Sequence, residues 1–304
     1  MKEVIIAGGT GLIGERLTQI LLSMGYRVNI LTRNPIISNI IDLQYYKWDI
    51  LQNDIPINLI QKADFIINLS GENVGKRRWN NSFKKEILES RVKSTRLIVE
   101  TLNKNPNSVK AFLNASAIGY YGLDRISPAI ESDKPGNDFM AQVCIDWEAE
   151  ANKLNPNIRL VISRTGIVFS SLGGALDAMA KPINSFLGAP LGLGKQIVSW
   201  IHIDDLCRSM IFALENEHVV GAFNAVSPNP ATNTHITKVL AKQLKKPLFL
   251  PPVPGFVLKA ILGEIADSVL ASLPVKPNKL EQSGFEFNHP HLTEAIQDLY
   301  RNNK

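Results

Sequence analysis

The sequence predicts an α/β fold built on a doubly wound parallel sheet with a smaller C-terminal lobe. Three observations carry this. Short apolar runs alternate with amphipathic stretches through the first half. A glycine triplet sits where the first run gives way to the first helix-like stretch. The composition shifts toward Gly and small residues after about residue 170. Strands and helices alternating at this spacing form βαβ units, whose parallel strands are covered on both faces.

Taken in order, "EVIIA" (3–7) reads as the first strand, and "GERLTQILLSMG" (14–25) follows with apolar residues at helical spacing. "RVNILTR" (27–33) is again strand-like, and a third strand is expected to end just before "WDI" (48–50). "ADFIINLS" (63–70), "VKAFLNASA" (109–117) and "IRLVISRTGIVF" (158–169) repeat the theme with helices between them. "SLGGALDAMAKPINSFLGAPLGLGKQ" (171–196) suits a loop or helix region over a cleft, and "GAFNAVSP" (221–228) returns to strand character. "FVLKAILGEIADSVLASL" (256–273) reads as one amphipathic or buried helix. Its Lys259, Glu264 and Asp267 argue against a membrane span.

At 304 residues the chain can bury a full core and a second lobe. Hydrophobic residues at 45% and charged residues at 20% fit an ordinary globular protein. The net charge of +5 is mild, but Lys76, Arg77, Arg78, Lys84, Lys85, Arg91 and Lys93 crowd one segment against Glu86 and Glu89. Such a cluster either attracts a phosphorylated ligand or forms a solvated helix face, and both readings stand. No nucleic-acid module accompanies it, so nucleic acid is not an expected partner. Cys144 and Cys207 make no disulfide framework, the five histidines are scattered, and no metal site is expected. The N-terminus opens directly on a strand pattern, so a cytoplasmic protein without membrane attachment is expected.

The strongest local signal is "VIIAGGTGLIGERL" (4–17), with Gly8, Gly11 and Gly14 in G-x-x-G-x-x-G spacing between a strand and a helix. Gly8 permits a tight turn, Gly11 lets backbone approach a pyrophosphate, and Gly14 lets the helix pack close to the strand. The helix N-terminus offers free N–H groups and a partial positive charge to the phosphates. Gly8, Thr10, Gly11, Leu12, Ile13 and Gly14 are therefore the expected pyrophosphate cradle of a Rossmann-type domain. The second strand ends in Thr32 and Arg33, where an NAD site usually carries an acid for the ribose 2′-hydroxyl. Arg offers donors to a 2′-phosphate instead, so NADP (NADPH) is the expected cofactor. Asp42 and Asp49 are alternative acids, and Asp49 is a candidate for the adenine amino group. Leu69, Ser70, Gly71 and Glu72, with Ala115 and Ser116, are expected to line the ribose and nicotinamide. Residues 1–170 with 198–228 then form the dinucleotide domain. Residues 171–197 and 229–304 form a lobe over the carboxyl edge of the sheet.

The chain resembles the extended or atypical short-chain dehydrogenase/reductases of the nucleoside-diphosphate-sugar epimerase clan. More narrowly, it resembles the "epimerase family proteins", some members of which are called cell division inhibitors. The resemblance rests on "NLSGENVGKRRWNNSFKKEILESRVKSTRLI" (68–98), "ASAIGYYG" (115–122), "DFMAQVCIDWEAEA" (138–151), "RTGIVFS" (164–170) and "VSWIHIDDL" (198–206), and covers nearly the whole chain. It implies a Rossmann domain, NADP binding, and a small-molecule substrate held by the C-terminal lobe. A protein partner connected with division is the other role it suggests.

The resemblance also exposes a loss. The superfamily's Tyr-x-x-x-Lys, which transfers the proton and holds the nicotinamide ribose, would fall near Phe139–Met140 and Val143–Cys144, where neither residue is present. The superfamily's Ser or Thr, four residues before a Tyr-Gly pair, falls on Ala117. Ser116 lies one further back and needs a bulge to turn to the same face. Ser116 and Tyr120 are the candidates for polarising a carbonyl and donating a proton. Arg77, Arg78, Lys84 and Arg91 are candidates for an anionic substrate. In "WIHIDDL", Asp204 and Asp205 read as helix caps, or with His202 as a catalytic pair. The expected activity is hydride transfer on a small carbonyl or sugar-like substrate by a non-standard proton donor. A non-catalytic NADP(H) sensor is the alternative.

Overall fold

The computed structural model describes residues 1–123 and 125–301. Residues 302–304 of the expected lobe lie outside the described residues. In chain order the first half gives β1 (Glu3–Ala7), α1 (Leu12–Ser23), β2 (Arg27–Thr32), β3 (Leu43–Lys47), α2 (Ile57–Ile60), β4 (Phe65–Asn68), α3 (Asn81–Lys104), β5 (Ala111–Ala117), α4 (Phe139–Ala151) and β6 (Arg159–Thr165). The second half gives β7 (Ile167–Phe169), α5 (Gly174–Asn184), β8 (Ile197–Val198), β9 (Trp200–His202), α6 (Ile203–Glu215), β10 (Gly221–Ala225), β11 (Ala231–Thr232), α7 (Asn233–Gln243), α8 (Gly255–Leu262), α9 (Ile265–Leu270), α10 (Asn278–Gln282) and α11 (Leu292–Leu299).

Seven strands form the central sheet in the order β10-β6-β5-β4-β1-β2-β3, and every pairing in it is parallel. Alternate residues of each strand face opposite layers. Val4, Ile6, Val28, Ile30, Phe65, Ile67 and Val161 pack with Leu17 and Leu21 of α1 and Leu206 and Met210 of α6. Ile5, Ala7, Leu31, Ile66 and Phe112 pack on the other face with Leu97, Ile98 and Leu102 of α3 and Ala151 of α4. The strand order reverses between β1 and β4. In a doubly wound sheet such a switch opens the ligand crevice at the carboxyl ends of the strands.

Two predicted elements divide. "RTGIVF" leaves the central sheet at Gly166, where a Cβ would come within 2.6 Å of Ser199 O. The chain continues as β7, which pairs with β9 in a separate small sheet. The predicted single helix over 256–273 is two, α8 and α9, because Gly263 adopts a left-handed φ of 67° that ends α8. A third apolar cluster, including Leu176, Ile183, Ile236, Leu240, Leu292 and Ile296, joins α5, α7 and α11. Phe169 and Trp200 stack within this cluster, so the small sheet joins the C-terminal helices to the main body. Among the described residues no helix is long and apolar enough to cross a membrane.

Arg159, at the start of β6, ties the sheet to the end of α6. Its Nη1 donates to Ala213 O and Val219 O, both at 2.7 Å, and its Nη2 to Leu214 O at 2.5 Å. A cation at a helix C-terminus also opposes the helix dipole. Arg159→Met is expected to lower unfolding free energy by about 1–3 kcal/mol in urea titrations. A change within about 0.5 kcal/mol would reduce the contact to an ordinary surface interaction.

Candidate functional site

The glycine loop turns β1 into α1 at the switch point. Gly8 has φ of 81°, and a Cβ on it would lie 2.8 Å from both C and O of Leu69. A Cβ on Gly14 would come within 2.5 Å of Gly8 O and Gly9 Cα, so the first turn of α1 rests directly on the loop. Gly11 is the N-cap of α1, and no side chain bonds to the free amides there. A Cβ on Gly11 would meet only Gly8 O, at 3.5 Å, so this backbone is open on its outer side. Thr10 and Gly11 are exposed, and Leu12 and Ile13 are half-buried. An uncapped helix start behind an open glycine turn is suited to a phosphate group.

The floor of the crevice is a polar knot at the ends of β4 and β5. Asn68 Nδ2 donates to Thr95 Oγ1 and to Asn114 Oδ1, each at 2.9 Å, and Trp147 Nε1 donates to the same Thr95 oxygen at 2.9 Å. Asn68 Oδ1 accepts from Ser70 N–H at 3.1 Å, and Leu69 N–H donates to Ala7 O at 2.8 Å. The segment Leu69–Gly71 is thereby fixed against Gly8. Ser70 Oγ is buried with no hydrogen-bond partner among the described residues. Buried hydroxyls are normally paired, so Ser70 offers a hydrogen bond to whatever enters the crevice. Glu72 is turned away from this position: its N–H donates to Ser90 Oγ at 2.9 Å and its carboxylate binds Lys76 at 2.9 Å.

Arg33 is exposed at the end of β2 and pairs with no carboxylate among the described residues. Asp49 Oδ1 accepts from Leu51 N–H at 2.8 Å and from Gln52 N–H at 3.2 Å, so this oxygen closes a local turn. Asp42 lies 3.8 Å from Arg27. These contacts leave Arg33 exposed and without an acid just past the end of β2.

The proton-transfer candidates sit differently from expectation. β5 pairs with β6 in unbroken register from Ala111↔Arg159 to Ala117↔Thr165, so the bulge that Ser116 needs is absent. Ser116 is 3% exposed, and its Oγ donates to Glu148 Oε1 of α4 at 2.7 Å, which commits the hydroxyl to the buried layer. A carbonyl-polarising role for Ser116 is corrected accordingly. Ala115, its neighbour on the strand, is also buried. Glu148 binds Arg164 through two bonds, at 2.9 and 2.8 Å, and Arg164 Nη1 reaches Tyr121 Oη at 3.0 Å. Tyr121 in turn donates to Asn224 Oδ1 of β10 at 2.6 Å. Burial pushes the Tyr121 phenol above its ordinary pKa, against the lowering effect of Arg164. Tyr120 is half-buried, with the Arg164 guanidinium 3.5 Å above its ring.

α4 starts on Asp138, whose Oδ1 accepts from the N–H groups of Met140 and Ala141 at 2.9 and 3.0 Å. Positions 140, 144 and 148 follow at intervals of four, along one face. Met140 and Cys144 face Gly119, whose added Cβ would lie 3.5 Å from Met140 Cβ and 3.9 Å from Cys144 Sγ, and Glu148 continues the face to Ser116. Burial pushes the Cys144 thiol up to about 11, which leaves it protonated and inert near neutral pH. Sequence reasoning missed the Glu148–Arg164 pair. Its available signal was Arg164, a charged residue two positions after Ile162 within the strand "IRLVISRT" (158–165).

The basic segment is mostly occupied. Arg77 binds Glu86 at 2.5 Å, Lys93 binds Glu89 at 2.9 Å, Lys84 pairs with Glu264, and Arg78 lies against Gly263. Lys84 and Arg78 thus fasten α3 to the α8–α9 turn. Arg91 has no carboxylate within ion-pair distance among the described residues. Its Nη1 donates to Ile87 O at 2.9 Å, its guanidinium lies over Trp147, and a Cβ on Gly71 would be 3.0 Å from its Cζ.

His202, not an aspartate, caps α6: its Nδ1 accepts from Asp204 N–H at 3.1 Å. Asp204 instead pairs with Arg16 of α1 at 2.6 and 2.7 Å, and buried Asp205 accepts from the N–H groups of Asn288 and His289. His202, His289 and Asp298 place one ligand atom each within 4.8 Å of one another. With Nδ1 accepting from an amide, neutral His202 carries its proton on Nε2, which points to Asp298 at 3.4 Å. That nitrogen is buried and makes no hydrogen bond among the described residues. A cavity of about 800 Å³ lies elsewhere, lined by Leu193, Lys195, Gln196, Pro254, Leu270 and others of the C-terminal lobe. None of its lining residues belongs to the glycine loop.

The fold and this crevice define a Rossmann-type protein of the extended short-chain dehydrogenase/reductase class. The chain belongs to the NAD dependent epimerase/dehydratase family, whose model matches residues 4–246; a domain of unknown function (DUF1731) matches residues 253–299. The mouse epimerase family protein SDR39U1 is 33% identical over 98% of this chain and 99% of its own length. The epimerase family protein SERP0438 of Staphylococcus epidermidis is 34% identical over 99% of this chain and all of its own. The crystal structure of human SDR39U1 with NADPH superposes with a TM-score of 0.90, at 33% identity and 99% coverage of both chains. UDP-N-acetylglucosamine 4-epimerase from Bacillus cereus shares the fold at 18% identity, with a TM-score of 0.78 over 99% of each chain.

Two outcomes follow from the buried charges. Glu148→Leu strands Arg164 in the interior and is expected to destabilise by about 3–5 kcal/mol in urea unfolding, with the Glu148→Leu/Arg164→Met pair recovering much of it. If the single variant unfolds like wild type, the pair is not a closed buried unit. His202 is held down to about 4 by burial, and secondarily by the charge of His289. The unfolded chain therefore binds more protons between about pH 6.5 and 4. The stability that neutral His202 contributes is complete above pH 6.5 and is lost as pH falls toward 4. His202→Asn keeps a good cap and removes the titration. Unfolding at pH 7 and pH 5 is expected to show a smaller difference in this variant than in wild type.

Proposed function

We propose that this chain binds NADP(H) at the switch-point crevice and presents the nicotinamide to a small carbonyl or sugar-like substrate for hydride transfer. The observation that carries the reading is the uncapped start of α1 behind Gly8–Gly14, with Ser70 Oγ unpartnered beside it. This donor set fits the group: free amides for a pyrophosphate, an open backbone at Gly11, and an exposed Arg33 for a 2′-phosphate. The solved structure of the human relative with NADPH supports the same cofactor.

The cofactor would supply the hydride. The chain's own residues supply position and a proton. Thr10, Gly11, Leu12, Ile13 and Gly14 hold the phosphates, Thr32 and Arg33 bracket the adenosine end, and Leu69, Ser70 and Gly71 line the opposite wall. Proton donation falls to Tyr120 by its placement. Ser116 is bound to Glu148, Tyr121 is locked between Arg164 and Asn224, and Cys144 is buried. Tyr120 stands half-exposed at the carboxyl end of β5 with a guanidinium on its ring.

A second reading has its own observation. The α4 face at Met140 and Cys144 carries no acid–base group, which suits a protein that binds NADP(H) without turnover and reports it to a partner. Calorimetric titration with NADPH and NADH, followed by absorbance assays against carbonyl compounds, separates the two. Tight NADPH binding with oxidation by a carbonyl supports the reductase, and Tyr120→Phe should then lower kcat by about 10²–10⁴. Tight binding without turnover across the panel favours the sensor, and binding of neither nucleotide overturns both. Arg33→Glu is expected to weaken NADPH far more than NADH, by about tenfold or more; an unchanged ratio would remove Arg33 from cofactor choice.

A further inference from the structure

The cavity of about 800 Å³ in the C-terminal lobe falls in the range of ordinary ligand sites, about 300–1,000 Å³. Its walls are held together by backbone. Val253 N–H donates to Pro190 O and Gly192 N–H to Val253 O, both at 2.8 Å, which lays 190–192 along 252–254. Gln196 Nε2 joins a further wall, donating to Leu191 O at 3.1 Å and to Val269 O of α9 at 3.4 Å. Leu270 enters between two glycines. An added Cβ would come within 2.6 Å of its Cδ2 at Gly192 and 3.3 Å of its Cδ1 at Gly255. The cavity is therefore built by the backbone and is not a gap between loose side chains.

The chemistry of the lining is one-sided. Leu193, Leu270, Pro252 and Pro254 supply hydrocarbon, and Lys195 is the one charged side chain among the described lining residues. Lys195 is exposed and has no carboxylate within ion-pair distance among the described residues. The other positive feature of the lining is the start of α8 at Gly255, which no side chain caps. At the rim Leu193 is 85% exposed, and Phe256, next to Gly255, is 75% exposed. Large apolar side chains left in water beside an apolar cavity gain free energy by covering a ligand. A nucleoside diphosphate brings more than one negative charge and calls for several convergent donors. One lysine and one short helix start balance a single carboxylate.

The cavity wall also leads toward the proton donor proposed above. Ser272 lines the cavity, and the next residue, Leu273, bridges to Val198 and accepts from Ser199 Oγ at 2.8 Å. Leu273 and Tyr120 both pack on the cluster of Ile118, Tyr121, Ala129, Val226 and Val275. Segment 272–275 thus runs from the cavity to the apolar bed of Tyr120.

We infer that this cavity takes the apolar body of a carbonyl substrate bearing a single carboxylate, with Lys195 as its counter-charge, so that the substrate class is an apolar oxo acid and not a sugar nucleotide. The reaction rests on the hydride-transfer reading above, and the binding rests on the cavity alone.

The test titrates the full-length protein calorimetrically with decanoate, decanol and UDP-glucose. Decanoate is expected to bind more tightly than UDP-glucose. Lys195→Met keeps the stem and removes the charge. It is expected to raise the Kd for decanoate by about threefold to tenfold while leaving that for decanol within about twofold. Leu193→Asp changes an exposed rim position and is expected to weaken both decanoate and decanol by about threefold or more. UDP-glucose binding more tightly than decanoate would overturn the inference, as would no decanoate binding. Unchanged decanoate affinity in either variant would place the fatty acid on another apolar surface and overturn it too. NADPH titrated in parallel reports on the other reading by itself: decanoate held at the cavity by a protein without NADPH affinity sinks hydride transfer and leaves the ligand class standing.

Discussion

Everything at the crevice depends on the backbone contact between Gly8 and the Leu69–Ser70 segment. Two chain crossings meet there without side chains between them, and a Cβ on Gly8 has no room against the Leu69 carbonyl. β1 and β4 are neighbours in the sheet, and the order reverses between them, so the crossings to α1 and α3 leave in opposite directions. The gap they leave is the crevice. Its shape is held from below by the Asn68–Asn114–Thr95–Trp147 knot, which ties β4, β5, α3 and α4 to one another through buried amide and hydroxyl bonds. Buried polar networks of this kind are stable only when fully paired, and this one is paired at each of those bonds.

The second organising feature is the packing of α3 against α4. α4 carries two buried acids: Glu148 is held by Arg164 and Ser116, and Glu150 by Arg96 and Lys153. α3 runs beside it for 24 residues and carries the unmatched Arg91. Its guanidinium lies over the Trp147 ring of α4, 5.2 Å from the centroid.

The C-terminal lobe is coupled to this crevice by charge and by shared core. Lys84 and Arg78 reach the α8–α9 turn, and Glu131 accepts from the N–H groups of Asn224 and Lys279 at 3.1 and 3.0 Å, joining β10 to α10. The apolar cavity near Leu193 and Leu270 lies within the lobe itself. The α8–α9 turn is thus held by Lys84 in the first turn of α3 and by Arg78 just before it.

Sequence alone determined the sheet, its parallel character, the glycine turn and the charge at the end of β2. These follow from local rules: apolar period, glycine spacing, and the residue types that a turn and a helix start require. It also located the loss on α4, because absence of a phenol and an ammonium needs no coordinates. Only the tertiary structure decided what the remaining polar residues do. Ser116 and Tyr120 stand four apart, yet strand register turns one into the layer under α4 and leaves the other at the edge. Asp204 and Asp205 read as the cap candidates, yet Asp204 pairs with Arg16, 188 positions away, Asp205 accepts from the N–H groups of Asn288 and His289, and the His202 ring caps α6. Seven basic residues between 76 and 93 are indistinguishable by charge. Which of them pair with an acid depends on where Glu72, Glu86, Glu89 and Glu264 come to rest, and partners chosen across the fold are set by packing, which local sequence does not encode.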